Sequence, residues 1–581
     1  MTREWWRDAV VYQIYPRSFQ DSNGDGIGDL EGIIRRLDYL NDGTETSLGV
    51  DAIWLSPTFP SPMKDFGYDV SDYNGVHPDF GTMETMDRLI AECHARGIKL
   101  LLDWVPNHTS DRHPWFIESA SSLENPKRDW YFWRSAKPDG GLPNNWRSVF
   151  GGPAWTLSEE TGQFYLHSFL KEQPDLNWRN PEVERAMHDV LRFWFERGID
   201  GFRIDVMGMI LKHPELADNP VNPRWRPGDR ERSSQIWLNN RNYPDVFGAV
   251  KRIRRVFDEY PEKTAVGEVF GTAEEISAYY GDDREPGLHL AFNFQFIHEI
   301  EPWHTPWDAE IMKRIVRDAE RAIPAGSQPC FAFGNHDRMR FITRHNEDGR
   351  GVERARAAAI VLMGLRNTPF VYYGEEIGME DVEIPEEQLQ DPARLRTFGR
   401  DPERTPMQWD ATPSRGFSEA EPWLPYGRAD RNVDEQFADD GSLLSLYRAA
   451  IWLRKRTASL REGAYRELES PDGTWLFERG ATGAAAAAYV ALNTTGHAVQ
   501  VAVPSPGTVA LATLRSEAGR RVGQHIDLEP LGAAMVIADE TKRACLAARR
   551  MSAPTRRGAN ARDLTAKVGT EWRVTGRTLL S

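Results

Sequence analysis

The stretch from Asn180 to Asp205, NPEVERAMHDVLRFWFERGIDGFRID, decides the fold. Its Asn-Pro opening is a helix start, and the pattern predicts a helix over Pro181–Arg197. Glu196-Arg197-Gly198 reads as the helix end, with glycine just beyond it. Gly201–Asp205 then reads as a strand that ends in charged residues. The same unit recurs outward in both directions. Val10–Ile14, Ala52–Leu55 and Lys99–Val105 read as the first three strands, with Gly201–Asp205 as the fourth. Thr264–Val269, Leu288–Phe294, Cys330–Gly334 and Pro369–Tyr373 complete a set of eight. Helices such as Thr82–Arg96, with apolar residues at helical spacing, lie between them. Eight strands alternating with helices predict a parallel (β/α)8 TIM barrel, in the α/β class. The alternative, an open doubly wound sheet, calls for a Gly-rich phosphate loop after an early strand, which this sequence lacks.

Two insertions interrupt the alternation. The segment 106–173, rich in Trp, Pro, Gly and Asn, is too long for a plain loop and is read as an inserted subdomain after strand three. Glu375 to Pro425 is similarly polar and Pro-rich. The barrel therefore takes residues 1–105 and 174–459. Beyond it the texture changes to short strands with turn signals: Tyr465–Glu469, Thr474–Arg479, Ala484–Leu492, Val499–Val503, Val509–Leu514 and Ala533–Ile537. These predict a C-terminal antiparallel β-sandwich domain over 460–540. The remaining 541–581 carry ten Lys/Arg against two Asp/Glu from Lys542 onward and are expected to be a disordered tail.

Composition bounds the function. With 40% hydrophobic and 27% charged residues, the 581-residue chain has material for a large core. Its formal charge of −16 argues against nucleic acid or an anionic membrane as partner. Cys93, Cys330 and Cys545 are too few and too scattered for a disulfide framework or a zinc knuckle. The sequence shows neither a long apolar span nor an apolar segment near Met1, so a cytoplasmic protein, monomeric or weakly self-associating, is expected. The 20 Trp residues fill a core or offer flat faces to sugar rings.

In a barrel of this type the site lies at the C-terminal ends of the strands. Strand three ends in Asp103, followed by Asn107 and His108; strand four ends in Arg203-Ile-Asp205; strand five leads to Glu268; strand seven leads to Asn335-His336-Asp337. Four strands each deliver a carboxylate to one rim, whereas a single acid after a strand is commonly a helix cap. Arg203 and Asp205, two apart on a strand, point to the same inner face. A guanidinium there is expected to lower the Asp205 pKa and keep it ionised, which suits a carboxylate nucleophile; a simple buried ion pair is the plainer reading. Glu268, facing several negative groups, suits a general acid at neutral pH. With Glu268 protonated, Asp65, Asp205 and Asp337 outweigh Arg203 and Arg404, leaving a net-anionic site that complements an oxocarbenium-like transition state.

The segments Asp103-Trp-Val-Pro-Asn-His108, Gly201-Phe-Arg-Ile-Asp205, Gly267-Glu268-Val and Phe333-Gly-Asn-His-Asp337 resemble, in order and spacing, the four signature regions of the α-amylase family of glycoside hydrolases, family 13. Gln173-Pro-Asp-Leu-Asn177, the Trp6–Pro16 segment and Arg404-Thr-Pro-Met-Gln-Trp409 resemble its oligo-1,6-glucosidase and α-glucosidase branch. The resemblance spans about Trp5 to Asp539. It implies that Asp205 is the nucleophile, Glu268 the acid/base and Asp337 the stabiliser of the distorted glucosyl ring. It further implies that Asp65 and Arg404 grip the non-reducing-end glucose, that Tyr68 stacks on it, that His108 and His336 bond its hydroxyls, and that Phe169 and Gln173 line the pocket. A closed pocket means exo action, and a double displacement retains the α configuration.

Asp21-Ser-Asn23-Gly-Asp25-Gly-Ile27-Gly-Asp29 places oxygen side chains alternately, like a calcium loop, although its twelfth position, Gly32, departs from an EF-hand. Members of the resembled branch often hold Ca2+ here, which implies a structural ion on Asp21, Asn23, Asp25, Asp29 and the Ile27 carbonyl; the other reading is an acidic turn full of Asx contacts. The resemblance implies no organic cofactor.

Val206, next to the nucleophile, often accompanies α-1,6 cleavage in the resembled branch, but a methyl or hydroxyl is worth only about 1–3 kcal/mol and does not decide the linkage. The expected activity is release of terminal α-linked glucose from short oligosaccharides. The alternatives are a strict oligo-1,6-glucosidase, a glucosyl-transferring or isomerising relative such as a trehalose or isomaltulose synthase, and a non-catalytic barrel protein. Arg338-Met-Arg-Phe341 lacks the Arg-Leu-Asp-Arg pattern of sucrose isomerases, and retention of all three acids opposes the non-catalytic reading.

Overall fold

Alternation along the third barrel strand, Lys99–Trp104, sets the layers. Leu100 and Leu102 face outward into the core shared with the helices. Leu101 faces the barrel interior with Trp54, Val266 and Phe370, and Asp103 follows it on the inward side. The structure, a computed structural model, describes residues 3–229, 231–282, 284–297, 305–392, 399–482 and 485–539. The expected basic tail, 541–581, lies outside the described residues.

The eight parallel strands are Val11–Ile14, Ala52–Leu55, Lys99–Trp104, Gly201–Ile204, Thr264–Gly267, Leu290–Asn293, Cys330–Phe331 and Phe370–Tyr372. Each pairs with its neighbour in chain order, the first also pairs with the eighth, and a bridge from Ala332 to Phe370 joins the seventh to the eighth. Several strands are shorter than the sequence predicts. The sixth starts at Leu290, and after Asn293 a 3-10 turn takes over, with the Asn293 side chain accepting from the Gln295 N–H. The seventh is reduced to two residues plus the Ala332 bridge.

The helices close over the barrel for local reasons. In Pro181–Glu196 the Asn180 side chain accepts from the Glu182 N–H, Pro181 sits in the first turn, and Glu182 and Glu184 face the positive end of the dipole. Val183, Met187, Val190, Leu191, Trp194 and Phe195 form its buried stripe. Met83–Ala95 is capped by Thr82 and buries Met86, Leu89, Ile90 and Cys93.

The register brings the chemistry together. Leu101 stands opposite Gly201 and Asp103 opposite Arg203. A Cβ at Gly201 would lie 2.3 Å from the Thr264 carbonyl oxygen, so only glycine lets the fourth and fifth strands approach this closely.

Between the third and fourth strands the chain forms a helix, Pro114–Ser121, and a three-stranded antiparallel sheet of Trp133–Arg134, Phe164–Leu166 and Trp155–Leu157. Phe132, Trp146, Trp155 and Leu166 give it a core of its own. The C-terminal region holds a six-stranded antiparallel sheet and a two-stranded one, Val499–Ala502 with His525–Leu528. Arg521–Val522 and His525–Leu528 were not expected from the sequence. The strand read from Ala484 begins at Ala488, and Ala484 itself lies outside the described residues. Helix Gly351–Gly364 ends against this region. Arg454 donates to the carbonyls of Met363 (2.8 Å) and Leu365 (2.9 Å), and Arg479 to those of Gly364 (2.9 Å) and Leu365 (2.7 Å). Cations thus satisfy the negative end of the helix. No described helix is long and apolar enough to cross a membrane.

Candidate active site

The mouth of the barrel opens into a cavity of about 1500 Å3 lined by Asp65, Tyr68, His108, Phe169, Asp205, Glu268 and Asp337, among others. Gln173, Arg203, His336 and Arg404 are buried behind that surface and hold it in place.

Arg203 organises the centre. Its Nη1 donates to Asp103 Oδ1 at 2.8 Å and to Asp205 Oδ1 at 2.7 Å, while Nη2 donates to Glu268 Oε2 at 2.6 Å. One cation therefore serves three buried carboxyls. Burial pushes the Asp205 carboxyl well above its ordinary range; Arg203 opposes this, and the neighbouring Glu268 and Asp103 add to it. Arg203 lowers Asp205 as expected, but the expected net effect is corrected: the guanidinium is shared, and desolvation outweighs its share. Burial likewise pushes Asp103 up to about 6, against Arg203.

Val206 follows Asp205 with φ +35°, a left-handed conformation costly for a β-branched residue. In that geometry its N–H donates to Glu268 Oε2 at 3.1 Å, and the Met207 N–H donates to the Glu268 carbonyl at 2.9 Å. The two catalytic-candidate segments are thus tied by backbone as well as by Arg203.

A second polar chain runs along the floor. Gln13 Nε2 meets His336 Nδ1 at 2.7 Å, His336 Nε2 meets the Tyr68 hydroxyl at 2.7 Å, and that hydroxyl reaches Asp103 Oδ2 at 3.0 Å. The Gln13 amide donates, so the bonding pattern assigns the imidazole proton to Nε2 and the Tyr68 proton to Asp103. Burial drives His336 well below its ordinary value and His108 down to about 4, so both rings are neutral near pH 7. His108 Nε2 lies 3.1 Å from both the Tyr68 carbonyl and Gln173 Nε2.

One residue of the cavity lining was missed by the sequence reading. Arg400 donates to Asp65 Oδ1 at 2.6 Å and to Asp337 Oδ1 at 3.1 Å, and it is also paired with Asp391. Arg404, expected to act with Asp65, instead reaches Asp337 Oδ1 at 2.9 Å and the His336 carbonyl at 2.7 Å. The Asp65 carboxylate accepts from Arg400 and from Gln173 (3.0 Å). One helical turn separates the two arginines: Arg400 precedes the Asp401–Arg404 3-10 turn, whose far end buries Arg404. Burial acts to raise Asp337, but the adjacent His336 ring and then Arg400 and Arg404 hold it well below the ordinary carboxylate range. Phe150 adds a face above: it lies 5.2 Å from the Arg400 guanidinium and edge-on to Phe169, with ring centroids 5.8 Å apart.

The Asp21–Asp29 loop lies apart from this cavity. Asp21 accepts backbone N–H bonds from Asn23 (2.9 Å), Gly24 (2.7 Å) and Gly26 (2.8 Å), and Asp29 accepts from Ser22 and caps the next helix at Gly32. Among the described residues, no three His, Cys, Asp or Glu side chains converge as a metal would require. The all-oxygen donor set fits a hard cation, but an ion here would have to share oxygens that already accept backbone bonds.

Fold and site together define a (β/α)8-barrel enzyme whose carboxyls converge on one cavity. The chain belongs to the α-amylase family: residues 13–463 match the family described as "Alpha amylase, catalytic domain". It is 44% identical over 485 residues to a protein named probable alpha-glucosidase from Rhizobium meliloti, covering 81% of this chain and 86% of that protein. It is 41% identical over 497 residues to an oligo-1,6-glucosidase from Parageobacillus thermoglucosidasius, covering 80% and 86%. The crystal structure of the alpha-glucosyl transfer enzyme XgtA superposes with a TM-score of 0.85 at 37% identity, covering 93% of this chain and all of that one.

Proposed function

We propose that this enzyme is a retaining, exo-acting α-glucosidase that removes the terminal non-reducing glucose from short α-linked oligosaccharides through a glucosyl ester on Asp205. The observation that carries the reading is the bridge Arg400 makes between Asp65 and Asp337 on the lining of the same cavity as the Arg203-linked pair Asp205 and Glu268. A pocket sealed at one end admits a single terminal residue, whereas a cleft open at both ends would admit an internal one.

In this reading, Glu268 protonates the departing oxygen while Asp205 attacks C1 from the opposite side. Water then enters, Glu268 takes its proton, and Asp205 leaves as carboxylate. Asp337, kept ionised by Arg400 and Arg404, supports the positive charge that develops on the ring. Asp65 and Arg400 grip the far hydroxyls, His108 bonds another, Tyr68 stacks against the ring, and His336, its one proton on the Tyr68 hydroxyl, holds Tyr68 in place. The names of the relatives support a glucosidase, and the likeness to a glucosyl transfer enzyme supports a second reading in which a sugar replaces water as acceptor. The loop Asp21–Asp29 is proposed to hold a structural Ca2+ outside the chemistry.

Rates on maltose, isomaltose, trehalose and sucrose, with product chromatography, test the proposal. Free glucose of retained α configuration is expected from at least one, and Asp205→Asn should lose turnover by orders of magnitude while remaining folded. Full activity in Asp205→Asn, or inversion at C1, would overturn it.

A further inference from the structure

Behind the cavity lies an aromatic bracket centred on Trp423. This residue is half-buried and is not among those that line the cavity. Its backbone is anchored to the Asp21–Asp29 loop, where the Trp423 N–H donates to the Gly26 carbonyl at 3.0 Å. The ring is held among three neighbours. It lies at 30° to the Tyr15 ring, with centroids 6.2 Å apart, and at 53° to the Phe66 ring, with centroids 5.4 Å apart. The Arg17 guanidinium sits 5.1 Å from the Trp423 ring and 5.7 Å from the Phe66 ring, so one cation faces both. At the polar edge of the indole, Nε1 donates to the Ser18 hydroxyl at 3.0 Å.

Each of these contacts leads on to a residue of the cavity. Buried Ser18 ends the Pro16–Ser18 3-10 turn; its hydroxyl donates to the Arg404 carbonyl, and its own carbonyl accepts from the Met407 N–H at 2.7 Å. An indole N–H only donates and a carbonyl only accepts, so the single hydroxyl proton goes to Arg404 and a lone pair to Trp423. The segment from Arg404 to Met407 is thereby fixed, and the Arg404 side chain carries that placement to Asp337 and the His336 carbonyl. Tyr15 lies at 21° to the His336 ring, with centroids 6.0 Å apart, and its hydroxyl is 3.5 Å from Arg404 Nη1. Phe66 belongs to the turn closed by the Tyr68 N–H on the Asp65 carbonyl at 3.1 Å, and its φ of +47° is a left-handed conformation costly for a bulky residue. Such a conformation persists where contacts on the side chain hold it. Asp65, Tyr68 and Asp337 thus share one support.

We propose that Trp423 is a positioning residue with two links to the site. Its N–H, through Ser18, sets the Arg404 segment that steadies Asp337, and its ring, through Phe66, sets the turn that carries Asp65 and Tyr68. The proposal rests on the glucosidase reading above, in which Asp337 acts on the charged transition state while Asp65 and Tyr68 bind the ring throughout the reaction. The two links therefore separate kinetically. Cutting the N–H link lowers kcat, whereas removing the ring also weakens binding of glucose itself.

The experiment uses the full chain with α-glucosyl fluoride, well below the melting temperature of each variant. Fluoride release gives kcat, and competitive inhibition gives the affinity for glucose. Trp423→Phe keeps a ring against Tyr15 and Phe66 and loses the donor; kcat should fall about fivefold, the worth of one hydrogen bond, with the glucose inhibition constant within about twofold of wild type. Ser18→Ala cuts the same link from the other side and should match it, and the double variant should be no slower than either single one, because the two changes break one connection. Trp423→Ala, which removes the ring as well, should raise the glucose inhibition constant about tenfold. Folded Trp423→Phe and Ser18→Ala that differ from wild type only in melting temperature overturn the proposal, as does a double variant whose loss is the product of the two. An unmoved glucose inhibition constant in folded Trp423→Ala overturns it too. Where a Trp423 variant does not fold, kcat of Ser18→Ala decides. Fluoride release by wild type with unmoved variants refutes the positioning role alone, whereas no release by wild type refutes the glucosidase reading and this proposal with it.

Discussion

Asp103→Asn tests the electrostatics of the centre. Asp103 and Asp205 both accept from Nη1 of Arg203, at 2.8 and 2.7 Å, so their oxygens lie on the order of 5 Å apart given the hydrogen-bond geometry. At an effective dielectric constant of about 20, two unit charges at that distance repel by about 3 kcal/mol, or roughly two pH units on a titrating neighbour. Water in the cavity reduces this, so a shift of about one to two units is expected. The sign is fixed: burial and the neighbouring carboxylates raise Asp205, and deleting one of those charges lowers it. Removing Asp103 also frees more of Arg203 for Asp205. In the proposed reaction Asp205 must be ionised to attack, so the acidic limb of kcat/KM should move to lower pH. The assay is fluoride release from α-glucosyl fluoride across pH 4–8, with melting curves beside it. The variant carries a structural penalty, because Asp103 Oδ2 accepts from both Tyr68 (3.0 Å) and Trp54 Nε1 (3.1 Å), and an amide cannot serve both donors and Arg203. That penalty, about 1–3 kcal/mol, lowers the melting temperature but does not move the limb. An acidic limb unmoved or displaced upward in folded Asp103→Asn refutes the shared-cation account.

Arg400→Ala leaves Asp65, Asp337 and Asp391 without their common cation and should cost about 3–5 kcal/mol of stability together with most of kcat/KM. Arg400→Lys should not restore activity, because a point charge cannot span Asp65 and Asp337; full activity in that variant would remove Arg400 from the site. Glu375→Gln addresses a carboxyl that burial pushes up to about 7 and that accepts from the Tyr447 hydroxyl (2.7 Å). Its folded-state pKa lies above the unfolded one, so the charge costs nothing in acid and its full penalty above about pH 7; the variant's stability relative to wild type should rise by about 2–3 kcal/mol between pH 5 and pH 8 in urea unfolding. A flat or falling difference contradicts the assignment. Chelation with EDTA should lower the melting temperature and added Ca2+ restore it, by the equivalent of about 3 kcal/mol at one hundred times the dissociation constant, with the response abolished in Asp25→Ala; a melting temperature indifferent to Ca2+ leaves the loop as an Asx-bonded turn.

The barrel was legible because each of its strands is an apolar run closed by turn residues, and the inward step of Arg203 and Asp205 follows from the two-residue period alone. Strand ends were less legible. Ala332 and Phe333 look like strand continuation, yet the ladder stops at Phe331 apart from one bridge. His525–Leu528 has polar residues on alternate positions and pairs with a strand more than twenty residues away, so nothing local announces it. Arg400 carried no signal either. The carboxylates it joins at positions 65, 337 and 391 meet only in the fold, whereas the Arg-Thr-Pro-Met-Gln-Trp segment drew attention to Arg404 instead. The Asp205 titration was misjudged for a related reason. The sequence shows that Arg203 is near, but not that Asp103 and Glu268 compete for it.

The two arginines that grip the end of helix Gly351–Gly364 bear on how the molecule can be cut. Arg479 belongs to the C-terminal sheet, and Cβ growth at Gly364 would strike Val490 of the same sheet at 2.7 Å. A clone stopped at residue 459 would strip one cation from those carbonyls and bare a flat, greasy seam against which the neighbouring sheet had been cast. Such a fragment should go to inclusion bodies rather than survive as a miniature catalyst, and the sheet alone should fare no better. The two modules are best regarded as halves of a single casting.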